Sequence, residues 1–142
     1  MSFKSFFQTK NLNKYENKLI IALRVSLGLI FFWFGTLKVF GLTPVAEVVG
    51  IVSPFLAGGT GIIILGAVEV LIGICLMFNW FQKTSLVALV LHLLGTFLVF
   101  IMGPEMMFQP VFPVLTLAGE FVFKNIVLVI GGLVVLCYKP SK

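Results

Sequence analysis

Four apolar runs divide this chain of 142 residues into segments that are each long enough to cross a bilayer: Leu19–Lys38, Gly61–Phe78, Thr84–Met102 and Phe121–Tyr138. An α-helix rises about 1.5 Å per residue, so roughly 17–25 mostly apolar residues cover a hydrocarbon core about 30 Å thick. Hydrophobic residues make up 60% of the chain and charged ones only 11%. Soluble domains lie near 45–50% and about 25%. The expected fold is an all-α membrane protein, an antiparallel four-transmembrane-helix bundle with a re-entrant or interfacial segment between helices 1 and 2. Residues 1–18 form a cytoplasmic interfacial or flexible N-terminal segment in this division, 19–138 the membrane domain and 139–142 a tail.

A secretory signal is the competing reading of the N-terminus, since Lys4, Lys10, Lys14 and Lys18 precede an apolar run. That run is too long for an h-region, carries Arg24, and ends in Lys38 without a small-residue cleavage site. Phe3, Phe6 and Phe7 among the lysines instead suit the membrane surface. Basic residues gather on one side: the four N-terminal lysines, Arg24, Lys83, Lys139 and Lys142, against Lys38 and Lys124 on the other. The positive-inside rule then places both termini and the Asn79–Lys83 loop in the cytoplasm. The formal charge of +5 is accounted for by this topology and by membrane lipids with anionic heads, so nucleic acid is not invoked.

The two longer connections are not ordinary solvated loops. Val39–Thr60 stays largely apolar while Pro44, Pro54, Gly58 and Gly59 break it, and Gly103–Pro113 has the same character. Both are too short and too broken to span, and too apolar for water. They are expected to form a lid over the outer end.

Ionisable residues inside the spans fall in line with small ones. Arg24, Gly28, Phe31, Gly35 and Lys38 recur at i, i+4, i+7, i+11 and i+14, one sector of a helix. Gly66, Glu69 and Gly73 share a face of the second span, and Ser85, Ala88, His92 and Thr96 one of the third. In the fourth, Glu120, Lys124, Val127, Gly131 and Tyr138 do so. A charge facing lipid costs at least about 2.5–3.5 kcal/mol at mid-membrane, so these stripes are expected to turn inward. Small residues along them let helices approach closely. Counted from the span ends, Glu69 and His92 are the two titratable groups near mid-membrane, and a Glu–His hydrogen bond makes both cheaper to bury. Lys38, Glu47, Glu105, Glu120 and Lys124 are expected at the outer end.

Each residue also has a plainer role. Arg24 and Lys38 are long enough to snorkel to the interfaces. Glu120 and Lys124 stand at i,i+4 in the order that stabilises a helix end. His92 can bond a backbone carbonyl. A central carboxylate such as Glu69 has the weakest structural excuse. The candidate pocket is therefore Arg24, Lys38, Glu69, His92, Glu120 and Lys124. No C-x-x-C, phosphate loop, nucleophile elbow or dinucleotide fingerprint is present, and one histidine leaves no ordinary metal spacing.

The run R-V-S-L-G-L-I-F-F-W-F-G-T-L-K from Arg24 to Lys38 resembles the first-helix signature of the DoxX-like superfamily, most closely its RclC/YkgB-type branch. Ser53-Pro54, G-A-V-E-V from Gly66 to Val70, and F-P-V-L-T-L-A-G-E-F-V-F-K-N from Phe112 to Asn125 agree with it. The resemblance implies a four-helix protein of the bacterial inner membrane, a small subunit or neighbour of a membrane redox system, with a quinone as the cofactor to consider. Two positions depart from the pattern. Glu120 stands where a basic residue is usual, and Asn125 where an acid is usual after Lys124. The polar insertion common between the first two helices of that branch is also absent.

Three function classes stay open. One is an accessory or quinone-binding subunit of a membrane redox or oxidative-stress system, with a redox partner protein or a second copy as neighbour. Another is a small proton-linked transporter or channel. The last is a non-catalytic assembly partner. No intrinsic catalytic motif makes the chain an enzyme by itself.

Overall fold

A computed structural model describes residues 12–43, 46–56 and 58–139. The Phe3, Phe6 and Phe7 segment, Lys4, Lys10, Pro44 and Lys142 lie outside the described residues. The elements are α1 (Leu12–Val39), α2 (Ala46–Val52), a 3-10 turn (Pro54–Leu56), α3 (Gly59–Phe78), α4 (Gln82–Thr96), α5 (Val99–Met102), α6 (Pro104–Met107) and α7 (Leu117–Cys137). Among these, four stretches are long and apolar enough to cross a membrane: Tyr15–Val39, Gly59–Phe78, Gln82–Met102 and Leu117–Cys137. The chain is a multi-pass membrane protein with an all-α four-helix bundle.

Helix α1 starts ahead of Leu19 because its first turns are polar residues that favour helix and carry it out of the apolar layer. Helix α3 ends at Asn79, whose left-handed φ of 61° lets its N–H turn back to the last carbonyls. Helix α7 starts at Thr116, whose hydroxyl accepts from Gly119 N at 3.0 Å. The same hydroxyl donates to Met106 O at 2.6 Å, which ties the outer connection to the start of α7. Between α4 and α5, Phe97 and Leu98 donate to carbonyls three residues back, Leu94 and Gly95. The third span is therefore tightened and bent at that point.

All neighbouring spans run antiparallel. Helix α1 packs chiefly on α3, and α4 on α7; the two pairs meet more loosely along α3–α4 and α1–α7. Glycines set the tight α1–α3 approach. A Cβ built on Gly73 would lie 2.5 Å from Phe32 N and 2.6 Å from Gly28 O. One on Gly35 would lie 2.6 Å from Gly66 O and 2.7 Å from Val70 N. The backbones occupy the space a side chain needs, the close contact that drives association where lipid removes the hydrophobic incentive.

Two apolar clusters follow. Leu27, Phe31, Ile72, Leu76, Leu86 and Leu89 lead the larger one within the bundle. Val48, Val99, Met107 and Val122 form the other, at the far end. There α2 packs against α5, and α6 against α7, with Ile51 over Gly103. The two longer connections thus lie on one another across one end of the bundle, as their broken apolar sequences imply. At the opposite end Tyr138 donates to Asn17 Oδ1 at 2.6 Å, which puts the start of α1 beside the end of α7.

Candidate functional site

Glu69 lies in the middle of α3, between Gly66 and Gly73 on the face turned to α1, and is 3% exposed. Gly35 makes room for it: a Cβ there would lie 2.9 Å from Glu69 Cβ. Both carboxylate oxygens are taken. Oε1 accepts from His92 Nε2 at 2.7 Å, and Oε2 accepts from Lys38 Nζ at 2.6 Å. The Glu–His pair expected from depth is present, and Lys38 completes a triad. Lys38 therefore neither snorkels nor joins the outer charges. From the last turn of α1 its side chain turns back into the bundle, where it is 7% exposed. Unpaired, a carboxylate at this depth would carry a severe desolvation cost; an ammonium and an N–H on its two oxygens offset it.

His92 reaches Glu69 from α4 and so joins one helix pair to the other. Its ring also meets Phe31 edge on, with centroids 5.7 Å apart. An ionised carboxylate only accepts, so Nε2 carries the proton toward Glu69. The charges of Lys38 and Glu69 cancel, so the pair asks no further charge of the imidazole. Its remaining nitrogen, Nδ1, is then an acceptor with no bond to any described residue.

These three groups form part of the wall of a cavity of about 470 Å³ between the two helix pairs. The volume is in the range of small-molecule sites, roughly 300–1,000 Å³. Ile30, Phe34, Leu65, Leu91 and Leu128 contribute to a largely apolar lining, and Val48, Val52 and Leu56 roof it from the connection between α1 and α3. Phe34 and Phe121 meet edge to face at 5.3 Å on the α1–α7 side.

Across the cavity stands a second polar group. Asn125 on α7, 7% exposed, donates through Nδ2 to Thr96 Oγ1 at 3.2 Å. Thr96 in turn donates to Leu93 O at 2.6 Å. Asn125 is the site residue that the fourth-span pattern did not single out. Of the expected stripe of Glu120, Lys124, Val127, Gly131 and Tyr138, Gly131 is buried, but Glu120, Lys124 and Val127 are exposed and do not form the inward face of α7. Gly119, Val122, Asn125, Val129 and Gly132 are buried instead. Glu120 and Lys124 bond each other at 3.3 Å with side chains 53% and 75% exposed, so neither needs the interior. The signal available in sequence was Asn125 and Gly132, an amide and a glycine at i and i+7. Lys124 still borders the cavity from its rim, whereas Glu120 does not line it.

Arg24 is inward but elsewhere. Its guanidinium donates to Leu76 O and, at 3.4 Å, to Met77 O. These are carbonyls in the last turn of α3, at its negative end, and Leu76 O otherwise has only a long bond from Asn79 N at 3.4 Å, so Arg24 caps that helix. Of the six candidate residues, the structure joins Lys38, Glu69 and His92, leaves Lys124 at the rim, and sets Arg24 and Glu120 apart. No protein-family model, curated protein or solved structure matches the chain.

Proposed function

We propose that this membrane protein holds a lipid-soluble ligand in the cavity between its helix pairs and exchanges a proton with the ligand's head group through Glu69 and His92. A quinone of a membrane redox or oxidative-stress system is the ligand class this reading favours, with the chain as its accessory or binding subunit. The observation that carries it is the Lys38–Glu69–His92 triad in the wall of a largely apolar cavity of about 470 Å³. Apolar walls accept a ring or tail, and a few convergent polar groups fix one end. The triad supplies the chemistry. His92 takes a proton at Nδ1 while Glu69 holds Nε2–H and stabilises the resulting imidazolium, and Lys38 holds the second carboxylate oxygen of Glu69. Such an arrangement handles protons and offers nothing that carries electrons, so any electron transfer belongs to the ligand and a partner.

The DoxX-like membership enters as part of the proposal. The Arg24–Lys38 run on which the resemblance rests is the same run whose Arg24, Gly28, Gly35 and Lys38 face the bundle. Orientation is part of it as well: the ends of α1 and α7 that meet at Asn17 and Tyr138 face the cytoplasm of a bacterial inner membrane. Native mass spectrometry of the protein released gently from its own membranes tests the reading. A bound quinone-sized amphiphile in the wild type that is depleted in the Lys38→Met/Glu69→Gln double variant, which keeps no lone buried charge, is the expected result. Protein that carries no such ligand, and takes up none when a short-chain quinone or its quinol is added, would rule the reading out.

A further inference from the structure

We infer that the cavity selects a head group that donates a hydroxyl proton, and that Asn125 is the specificity-determining residue opposite the triad. The inference deepens the ligand-binding reading above and rests on it.

The argument is one of donor and acceptor inventory. Thr96 gives its single hydroxyl proton to Leu93 O, so its oxygen faces Asn125 as an acceptor. The Asn125 amide must then present Nδ2 to Thr96, and its orientation is fixed by the network. Its Oδ1 bonds no described residue, although the side chain is buried and borders the cavity. His92 is fixed by the same logic from the other wall: Nε2–H points at Glu69, and Nδ1 is left as an acceptor. Two acceptors thus remain for the ligand. His92 and Thr96 stand at i and i+4 on α4, about one helical turn apart on one face, and Asn125 is held at Thr96. A hydroxyl satisfies either acceptor. A carbonyl or an ether oxygen meets a lone pair at Nδ1 and at Oδ1 alike, so of a quinone couple the cavity takes the reduced, hydroxyl-bearing quinol. Phe31, Phe34 and Phe121 along the same cavity favour an aromatic ring as bearer of that hydroxyl. The ligand class is accordingly a phenol-type head on an apolar tail.

The full chain reconstituted in lipid nanodiscs is titrated with 4-nonylphenol and with its methyl ether, which matches it in shape and has no proton to donate. Wild type is expected to bind the phenol about tenfold more tightly than the ether, the effect of one satisfied buried acceptor. Asn125→Leu is expected to cut that preference at least about threefold while ether affinity stays the same. Thermal midpoints of both proteins identify loss of fold, and the wild-type comparison decides the matter without any variant. Equal affinity for the two probes in wild type overturns the hydroxyl inference and leaves the ligand-binding reading standing. An undiminished preference in folded Asn125→Leu overturns the role of Asn125. If neither probe binds wild type, the ligand-binding reading falls and this inference with it.

Discussion

Lys38 stands in the last turn of α1, yet its ammonium lies 2.6 Å from a carboxylate oxygen of Glu69 at the middle of α3. A lysine so placed has water or lipid head groups within reach and turns inward because Glu69 would otherwise be short of a cation. The pair therefore ties the end of one span to the centre of the next. Removing one partner of such a buried pair leaves a lone charge at depth.

The first prediction follows from that pairing. Glu69→Gln is expected to lower stability by roughly 3–5 kcal/mol, because the Lys38 ammonium loses its counter-charge. Lys38→Met alone should be comparably damaging. The double variant should recover most of the loss, since two neutral side chains carry no desolvation cost. Denaturation in mixed micelles measures all three. A double variant no more stable than either single would refute the coupling.

Helix approach gives the second. Gly73→Ala places a Cβ 2.5 Å from Phe32 N and 2.6 Å from Gly28 O, both backbone atoms that cannot swing aside. Gly131→Ala meets Leu23 Cδ1 at 3.4 Å and Leu27 Cδ2 at 3.7 Å, ordinary contacts with flexible side chains. Folded yield should fall sharply for Gly73→Ala, whereas Gly131→Ala should match wild type or gain about 0.5–1 kcal/mol from helix propensity. Indistinguishable thermal midpoints for the two variants would contradict the close α1–α3 packing.

Arg24 supplies the third. Arg24→Leu strands the Leu76 and Met77 carbonyls at the end of α3 and should cost about 1–3 kcal/mol. Lys18 is exposed, so Lys18→Leu should be neutral. Neither change should alter ligand affinity per folded molecule, because Arg24 lies apart from the cavity. Yield and binding measured on the same preparations separate these effects, and equal yields would sink the capping role.

The fourth concerns the cavity. Gly95 lines it, and a Cβ built there meets nothing within 4 Å. Gly95→Leu should fold, fill part of the space and weaken binding of an added amphiphile at least about tenfold, corresponding to roughly 1.4 kcal/mol. A Gly95→Leu protein that binds as well as wild type would place the ligand elsewhere.

Much of this molecule is written in its one-dimensional pattern. Span length fixed four helices, because lipid permits no unpaired backbone and about 1.5 Å per residue sets the count. The inward faces of α1 and α3 were legible since glycines and ionisable residues coincide on them, and lipid penalises the charges anywhere else. The shared depth of Glu69 and His92 followed from counting along their spans, and the structure puts them 2.7 Å apart. Three features were decided only by packing. Helix α7 is apolar on most sides, so several faces compete. Exposed Glu120 and Lys124 satisfy each other, while Asn125 has Thr96 waiting on α4. Arg24 was visibly unsuited to lipid, but its acceptors are backbone carbonyls of another helix, and those have no side-chain signature. Lys38 sits at a helix end where a flexible four-carbon stem serves equally well outward or inward. Its direction is set by Glu69, 31 positions away in sequence and 2.6 Å away in space. Periodicity tells which side of a helix avoids lipid; which partner a polar group meets there depends on where the other helices lie.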